Sequence, residues 1–130
     1  MEPQLEMINV LIDTIQTNLS LFSIISTNSL PADGGIYVEI RPSYSKSVYL
    51  NKKSSQIIPV IFKCKNADQN IALNAIYSIG NYLQALKTYP SGSTFKWLNA
   101  EVVESEPDLI GKQEDGSFIY TCKINITINL

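Results

Sequence analysis

The sequence predicts a single α+β domain: a mostly antiparallel sheet of about four to five strands with two helices packed on one face, in the order α-β-β-β-α-β-β. Three observations carry that expectation. Apolar residues recur at helical spacing in two separate stretches, around residues 5–22 and 72–86. In the segments between and after them, apolar and polar residues alternate with period two. The chain has 130 residues, enough to bury one core without staples and too few for two domains of ordinary size, so one domain over 1–130 is expected.

The first helix is read from Leu5, Ile8, Ile12, Ile15, Leu19 and Phe22, which fall on one stripe; Val10 and Leu11 widen it, and Asp13, Gln16 and Asn18 lie off it. Its end is blurred near Ser20, because Ser23-Ile24-Ile25-Ser26-Thr27 favours extended or irregular backbone. Leu30 to Gly35 is a turn segment rich in breakers. From Ile36 the period becomes two, with Ile36, Val38 and Ile40 on one side and Tyr37, Glu39 and Arg41 on the other. Pro42 to Ser47 reads as a polar loop, Val48-Tyr49-Leu50 as a short strand at most, and Asn51 to Ser55 as a second loop. A further strand spans Gln56 to Lys65, with Ile58, Val60, Phe62 and Cys64 on one face. Pro59 cannot donate to a ladder, so this strand is expected at a sheet edge or bulged near its start.

Asn66-Ala67-Asp68-Gln69 has the spacing of a capping box, which starts the second helix there. Ala72, Ala75, Ile76, Ile79, Leu83 and Leu86 form its apolar stripe, and Tyr89-Pro90-Ser91-Gly92 ends it. Gly80 within it costs about 1 kcal/mol relative to Ala, which close packing against the sheet or the first helix would explain. Phe95 to Glu104 and Phe118 to Leu130 are the last two strands, expected to pair as an antiparallel hairpin across a long acidic connection marked by Glu106-Pro107 and Asp115-Gly116.

Composition excludes several function classes. A net charge of -2 gives no electrostatic footprint for gripping nucleic acid, which needs clustered excess Lys and Arg, so DNA binding by charge alone is not expected. The first residues are acidic where a secretory signal would be basic, and no apolar run nears the ~20 residues a membrane helix needs, so a cytoplasmic product without membrane contact is expected. Without an export signal, Cys64 and Cys122 read as buried core residues rather than a disulfide. There is no His, which removes the commonest general base, the usual nucleophile partner and the usual zinc ligand. No catalytic residue, metal ligand or cofactor site is expected, and the chain reads as a non-enzyme. The carboxylates between Glu101 and Asp115 do not fit a calcium loop and read as a solvated hairpin. Gly34-Gly35 lacks phosphate-loop spacing, and Tyr37, Tyr44 and Tyr49 with Lys46, Lys52 and Lys53 read as an ordinary polar loop region. Trp97 suits a core or an interface equally.

The final strand is about twice the usual five or six residues. Exposed along its edge, it would invite pairing with another chain. Its polar face of Thr121, Lys123, Asn125, Thr127 and Asn129 suits solvent or a hydrogen-bonded subunit contact.

The stretch Ile57-Ile58-Pro59-Val60-Ile61-Phe62-Lys63-Cys64-Lys65-Asn66-Ala67-Asp68-Gln69, with Ile76, Ile79 and Leu83 in the helix that follows, resembles the tail terminator proteins of long-tailed phages of Gram-positive bacteria, a family often labelled minor capsid proteins. Gly116-Ser117-Phe118-Ile119-Tyr120 is similar to that family's closing hairpin, and the likeness runs from Ile36 to Leu130. The resemblance implies a hexameric homo-oligomeric ring that caps the tail tube protein, halts tail polymerisation and presents the tail to a head completion or connector protein. DNA would pass through its lumen without specific binding, and the protein would reside at the head-proximal end of the virion tail after assembly in the host cytoplasm. Within such a ring, a basic segment at Lys46, Lys52 and Lys53 and an acidic one at Glu104, Glu106, Asp108, Glu114 and Asp115 would supply complementary subunit surfaces, beside Thr121, Lys123 and Asn125. The alternatives are another head-tail joining or tail tube component, or, from a different class, a small-ligand-binding regulatory domain.

Overall fold

The computed structural model describes residues 3–27, 30, 34–41, 44–48, 54–103, 108–112, 114 and 116–129. Among the described residues two helices and seven strands follow in the order α1 (Pro3–Asn18), β1 (Ile25–Ser26), β2 (Gly35–Ile40), β3 (Tyr44–Val48), β4 (Ser54–Asn66), α2 (Gln69–Ala85), β5 (Lys96–Val102), β6 (Asp108–Lys112) and β7 (Phe118–Asn129). The α+β class and the mostly antiparallel sheet match the sequence reading. The strand count is larger, because β1 and β6 are short pieces whose pairing partners lie elsewhere in the chain.

Two long antiparallel strands, β4 and β7, form the spine of the sheet, paired from Ser55↔Asn129 to Asn66↔Phe118. Each is flanked on its other side by two shorter strands laid end to end. β2 and β3 share the outer side of β4, and β5 and β6 share the outer side of β7. β1 adds a parallel pair to β2 at Ile25↔Ile36 and Ser26↔Tyr37. The expected strand at 48–50 instead begins at Tyr44, inside what reads as a loop, because β4 offers it a template.

This topology supplies the strand order that the sequence left open and corrects one expectation, that for Pro59. The long last strand is central, since β4 covers one side of it and β5 and β6 the other. Pro59 also sits in a central strand. Its carbonyl accepts from the Arg41 N–H at 2.8 Å, so the side of Pro59 that lacks a donor faces the junction between β2 and β3. There the ladder already breaks, passing from Ile40↔Val60 to Tyr44↔Ile57 with a change of register. The acceptor that the missing N–H would have met is the carbonyl of Arg41, an exposed residue where water can replace it, and the irregularity expected of the proline is carried by its neighbour strand.

The even-numbered residues of β4 and β7 make one face: Ile58, Val60, Phe62, Cys64, Tyr120, Cys122, Ile124, Ile126 and Ile128 are all buried. They join Met7, Ile8, Leu11 and Ile15 of α1 and Ala72, Ala75, Ile76, Ile79 and Leu83 of α2 in one cluster, so both helices lie on that face. Trp97 belongs to this core, 2% exposed, with its indole N–H donating to the Asn99 carbonyl at 2.9 Å and its ring 5.1 Å from that of Tyr89.

Helix α2 starts two residues later than the capping-box reading. Asp68 is the N-cap, its carboxylate accepting from the N–H of Asn70 and Ile71. Asn66 accepts from the Asp68 N–H instead, and Gln69 reaches across to donate to the Tyr120 hydroxyl at 2.7 Å. Gly80 is buried against the sheet, yet a methyl group there would stand 3.4 Å from Cys122 Sγ and 3.9 Å from Val102, ordinary contact distances. Packing therefore does not require glycine, and Gly80→Ala is expected to stabilise the fold by about 0.5–1 kcal/mol through helix propensity, read as a raised urea midpoint.

Candidate functional site

The lateral edges of the sheet are unlike each other, and this is where its capacity for assembly lies. Strand β5 ends the sheet on one side; among the described residues no strand pairs with its outer edge. The Val103 N–H donates to the Lys123 carbonyl at 3.0 Å. Strand alternation then turns the N–H and C=O of Val102 and Ala100 outward, away from β7. Leu98, at the β5 register shift, and Val103, just past its end, are 36% and 50% exposed. Edges of this kind are templates for another strand.

The other side is broken and more polar. β1 covers only Ile36 and Tyr37 of β2, and exposed Arg41, just past the end of β2, lies 3.5 Å from Glu39. The face opposite the helices has no second layer among the described residues. It presents Ile57, Pro59, Ile61, Lys63 and Lys65 from β4 beside Ile119, Thr121, Lys123, Asn125 and Thr127 from β7.

The sequence-predicted interface residues distribute as follows. Lys46 lies on β3 and Asp108 on β6, the latter in register with Thr121. Glu114 is exposed in the connection from β6 to β7. That connection closes at Gly116, whose φ of 88° lies in the left-handed region glycine favours. Lys52, Lys53, Glu104, Glu106 and Asp115 lie outside the described residues. Lys123 is exposed and Asn125 partly so, whereas Thr121 is only 8% exposed and is set among its strand neighbours rather than offered to a partner. β3 pairs with the start of β4 and β6 with the start of β7, and these two antiparallel strands begin at opposite ends of the sheet. The basic and acidic segments thus attach at diagonally opposite corners. What sequence reasoning missed is the open edge of β5, since strand order alone reveals which strand is last.

No protein-family model matches this chain, and no curated protein matches it. Function is read from these surfaces and from what the interior offers chemically.

The interior offers little reactivity. Among the described residues no three of His, Cys, Asp and Glu gather where they would hold a metal ion. Cys64 and Cys122 are free and buried. They sit diagonally on neighbouring strands, Cys64 opposite Tyr120 and Cys122 opposite Phe62, a separation of roughly 7 Å where a disulfide needs Cβ atoms about 4 Å apart. Burial, with a smaller contribution from Cys122, pushes the Cys64 thiol up to about 12. At neutral pH it is a protonated core group, and native protein is expected to react negligibly with a thiol reagent such as Ellman's until urea exposes both cysteines. Because the folded state holds this proton more tightly than the unfolded chain, Cys64's contribution to stability is complete below the ordinary thiol value of 9.0 and is lost as pH rises from there toward 12.

One carboxylate has a structural role that its sequence position does not announce. Glu6 on α1 accepts from the Thr94 N–H at 2.9 Å and from the hydroxyls of Ser93 and Thr94 at 2.7 and 3.1 Å, tying the loop before β5 to the first helix. The Thr94 backbone bond, ahead of the Ser93 hydroxyl, lowers its pKa below the usual carboxylate value. A shallow groove lies between α1 and β2, lined by Leu5, Ile8, Asn9, Tyr37, Val38 and Glu39. The Glu39 carboxylate at its rim is engaged by Arg41 at 3.5 Å.

Proposed function

We propose that this chain is a structural subunit that closes into a ring, acting as a phage tail terminator that caps the tail tube, ends its polymerisation and presents the tail to the head connector. The observation that supports this reading is the pair of unlike lateral edges on one sheet. A cyclic assembly needs two different, complementary surfaces on each subunit. Here an open antiparallel edge with exposed Leu98 and Val103 lies on one side, and a broken edge bearing β3 lies on the other. The segment joining β3 to β4 carries Lys52 and Lys53, and the one joining β5 to β6 carries Glu104 and Glu106. Opposite charges carried by segments attached on opposite sides of the sheet favour head-to-tail association over a face-to-face dimer. Exposed ion pairs contribute under about 1 kcal/mol each, so they orient subunits while strand and apolar contacts hold them.

Mass by light scattering across a concentration series, alone and with tail tube protein present, tests the reading. A closed ring, expected as a hexamer, in either condition supports it, and a monomer in both removes it. Lys52→Glu with Lys53→Glu is expected to weaken the ring about tenfold or more, and Glu104→Lys with Glu106→Lys in the same chain is expected to restore it. An assembly indifferent to both changes rejects the charge pairing while leaving the ring itself in place.

A further inference from the structure

The large apolar side chains exposed among the described residues collect at the lateral borders of the sheet. Leu98 and Val103 stand at the β5 border. On the other side Leu5 lines the groove beside β2, Ile24 directly precedes β1, and Phe22 and Ile71 line a cleft next to that segment. Each border also turns outward backbone groups that pair with no described strand. On β5 these belong to Ala100 and Val102. On β2 they belong to Ile40: β1 stops at Tyr37, and because the Arg41 N–H turns inward to the Pro59 carbonyl, the N–H and C=O of Ile40 turn outward. Ile40 lines the same groove as Leu5, so a strand laid beside it would fill that groove.

The strands β2, β4, β7 and β5 alternate in direction, so β2 and β5 run oppositely. A head-to-tail repeat of the sheet therefore sets β5 of one copy antiparallel to β2 of the next. Outward residues must meet outward residues, which confines Val102 to a place opposite Ile36, Val38 or Ile40. Ile36 is already paired with β1. The Val38 register sets Glu101 directly across from Glu39, like charges on neighbouring strands. In the Ile40 register two partly exposed apolar side chains meet on the helix side, while on the other face Glu101 meets Arg41 and Val103 meets Glu39. Arg41 lies 3.5 Å from Glu39, yet it is exposed and its guanidinium keeps donors for a second carboxylate.

We propose that β5 of one copy pairs antiparallel with β2 of the next, with Val102 opposite Ile40 and Glu101 opposite Arg41. That such contacts close into a ring rests on the reading above; the strand contact itself does not require closure. The contact is short, so closure, which holds each subunit on both sides, strengthens it.

Disulfide capture tests the pairing. Val103 and Glu39 would form a non-hydrogen-bonded pair with Cα atoms about 4.5 Å apart, within reach of a disulfide. Val103→Cys and Glu39→Cys chains, purified separately, are mixed under mild oxidant, alone and with tail tube protein, and run on a non-reducing gel; native Cys64 and Cys122 are buried and give no background. A covalent heterodimer is expected, with Lys87→Cys, at an exposed site after α2, giving none against either chain. Glu101→Arg on the Val103→Cys chain is expected to slow capture about threefold, and Arg41→Glu on the Glu39→Cys chain to restore it. No heterodimer in either condition overturns the proposal, as does equal capture by the control. Capture of Glu39→Cys by Glu101→Cys instead overturns the register. Light scattering on the same samples separates the two readings. Heterodimer without a ring upholds the strand contact and counts against the ring, whereas a ring without heterodimer leaves the ring reading standing alone. Thermal melts followed by circular dichroism confirm that the compared variants are folded.

Discussion

Replacing Phe62 by alanine is expected to destabilise the fold by about 3–5 kcal/mol, whereas replacing its neighbour Ile61 by alanine costs under about 1.5 kcal/mol. Phe62 is fully buried near the middle of β4, in register with Val38 on one side and Cys122 on the other. Truncation removes the transfer free energy of the ring and leaves a cavity, because the three strands and the helices around it are held by their own ladders and cannot collapse inward. Ile61 points to the helix-free face between Glu39 and Lys123, where it is only partly covered. The check is a urea titration of both variants. At a slope of about 2 kcal/mol per molar, Phe62→Ala lowers the midpoint by roughly 2 M with the slope unchanged, and Ile61→Ala by less than 1 M. Equal losses would mean that both faces of β4 are covered, as they would be if subunits already stacked on the open face.

The second large effect concerns assembly. Val102→Pro is expected to leave a folded monomer and abolish ring closure by strand addition. The N–H of Val102 points away from β7, so proline there removes no ladder bond within the subunit, while it deletes an outward donor and thrusts its ring at any strand arriving from outside. The side chain is similar in volume and only partly buried, so the loss in subunit stability stays near 1 kcal/mol. Light scattering reads the mass, and a thermal melt confirms the fold. A ring of unchanged mass would show that subunits meet elsewhere than at β5 and would redirect attention to the charged corners.

Local pattern accounts for how much of this was legible. The stripes of α1 and α2 and the alternation of β4 and β7 come from periodicity, which each segment carries by itself; the buried sets Met7, Ile8, Leu11, Ile15 and Ile58, Val60, Phe62, Cys64 follow from it. The pieces that were missed are those whose hydrogen bonds are supplied by distant partners. β1 is two residues long and exists because Ile36 and Tyr37 pair with it, and β6 exists because the first turnings of β7 lie free beyond the end of β5. Asn66 and Asp68 are equally good capping residues by type, and the choice went to Asp68 because Asn66 is still paired with Phe118 in the β4–β7 ladder.

The candidate site divides along the same line. Residue identity alone determined that the chain has no histidine, that its charges gather in a basic and an acidic segment, and that lysines recur at alternate positions of one strand. Tertiary structure decided what those facts amount to. It placed Lys123 beside Lys63, buried Thr121, set the long final strand at the centre and, among the described residues, left β5 as the open border. The physical reason is that a strand's period says which face a side chain takes but nothing about which strand lies next to it. Neighbours are set by closing long loops against one shared core, a balance of burial and chain entropy over the whole molecule rather than over any segment.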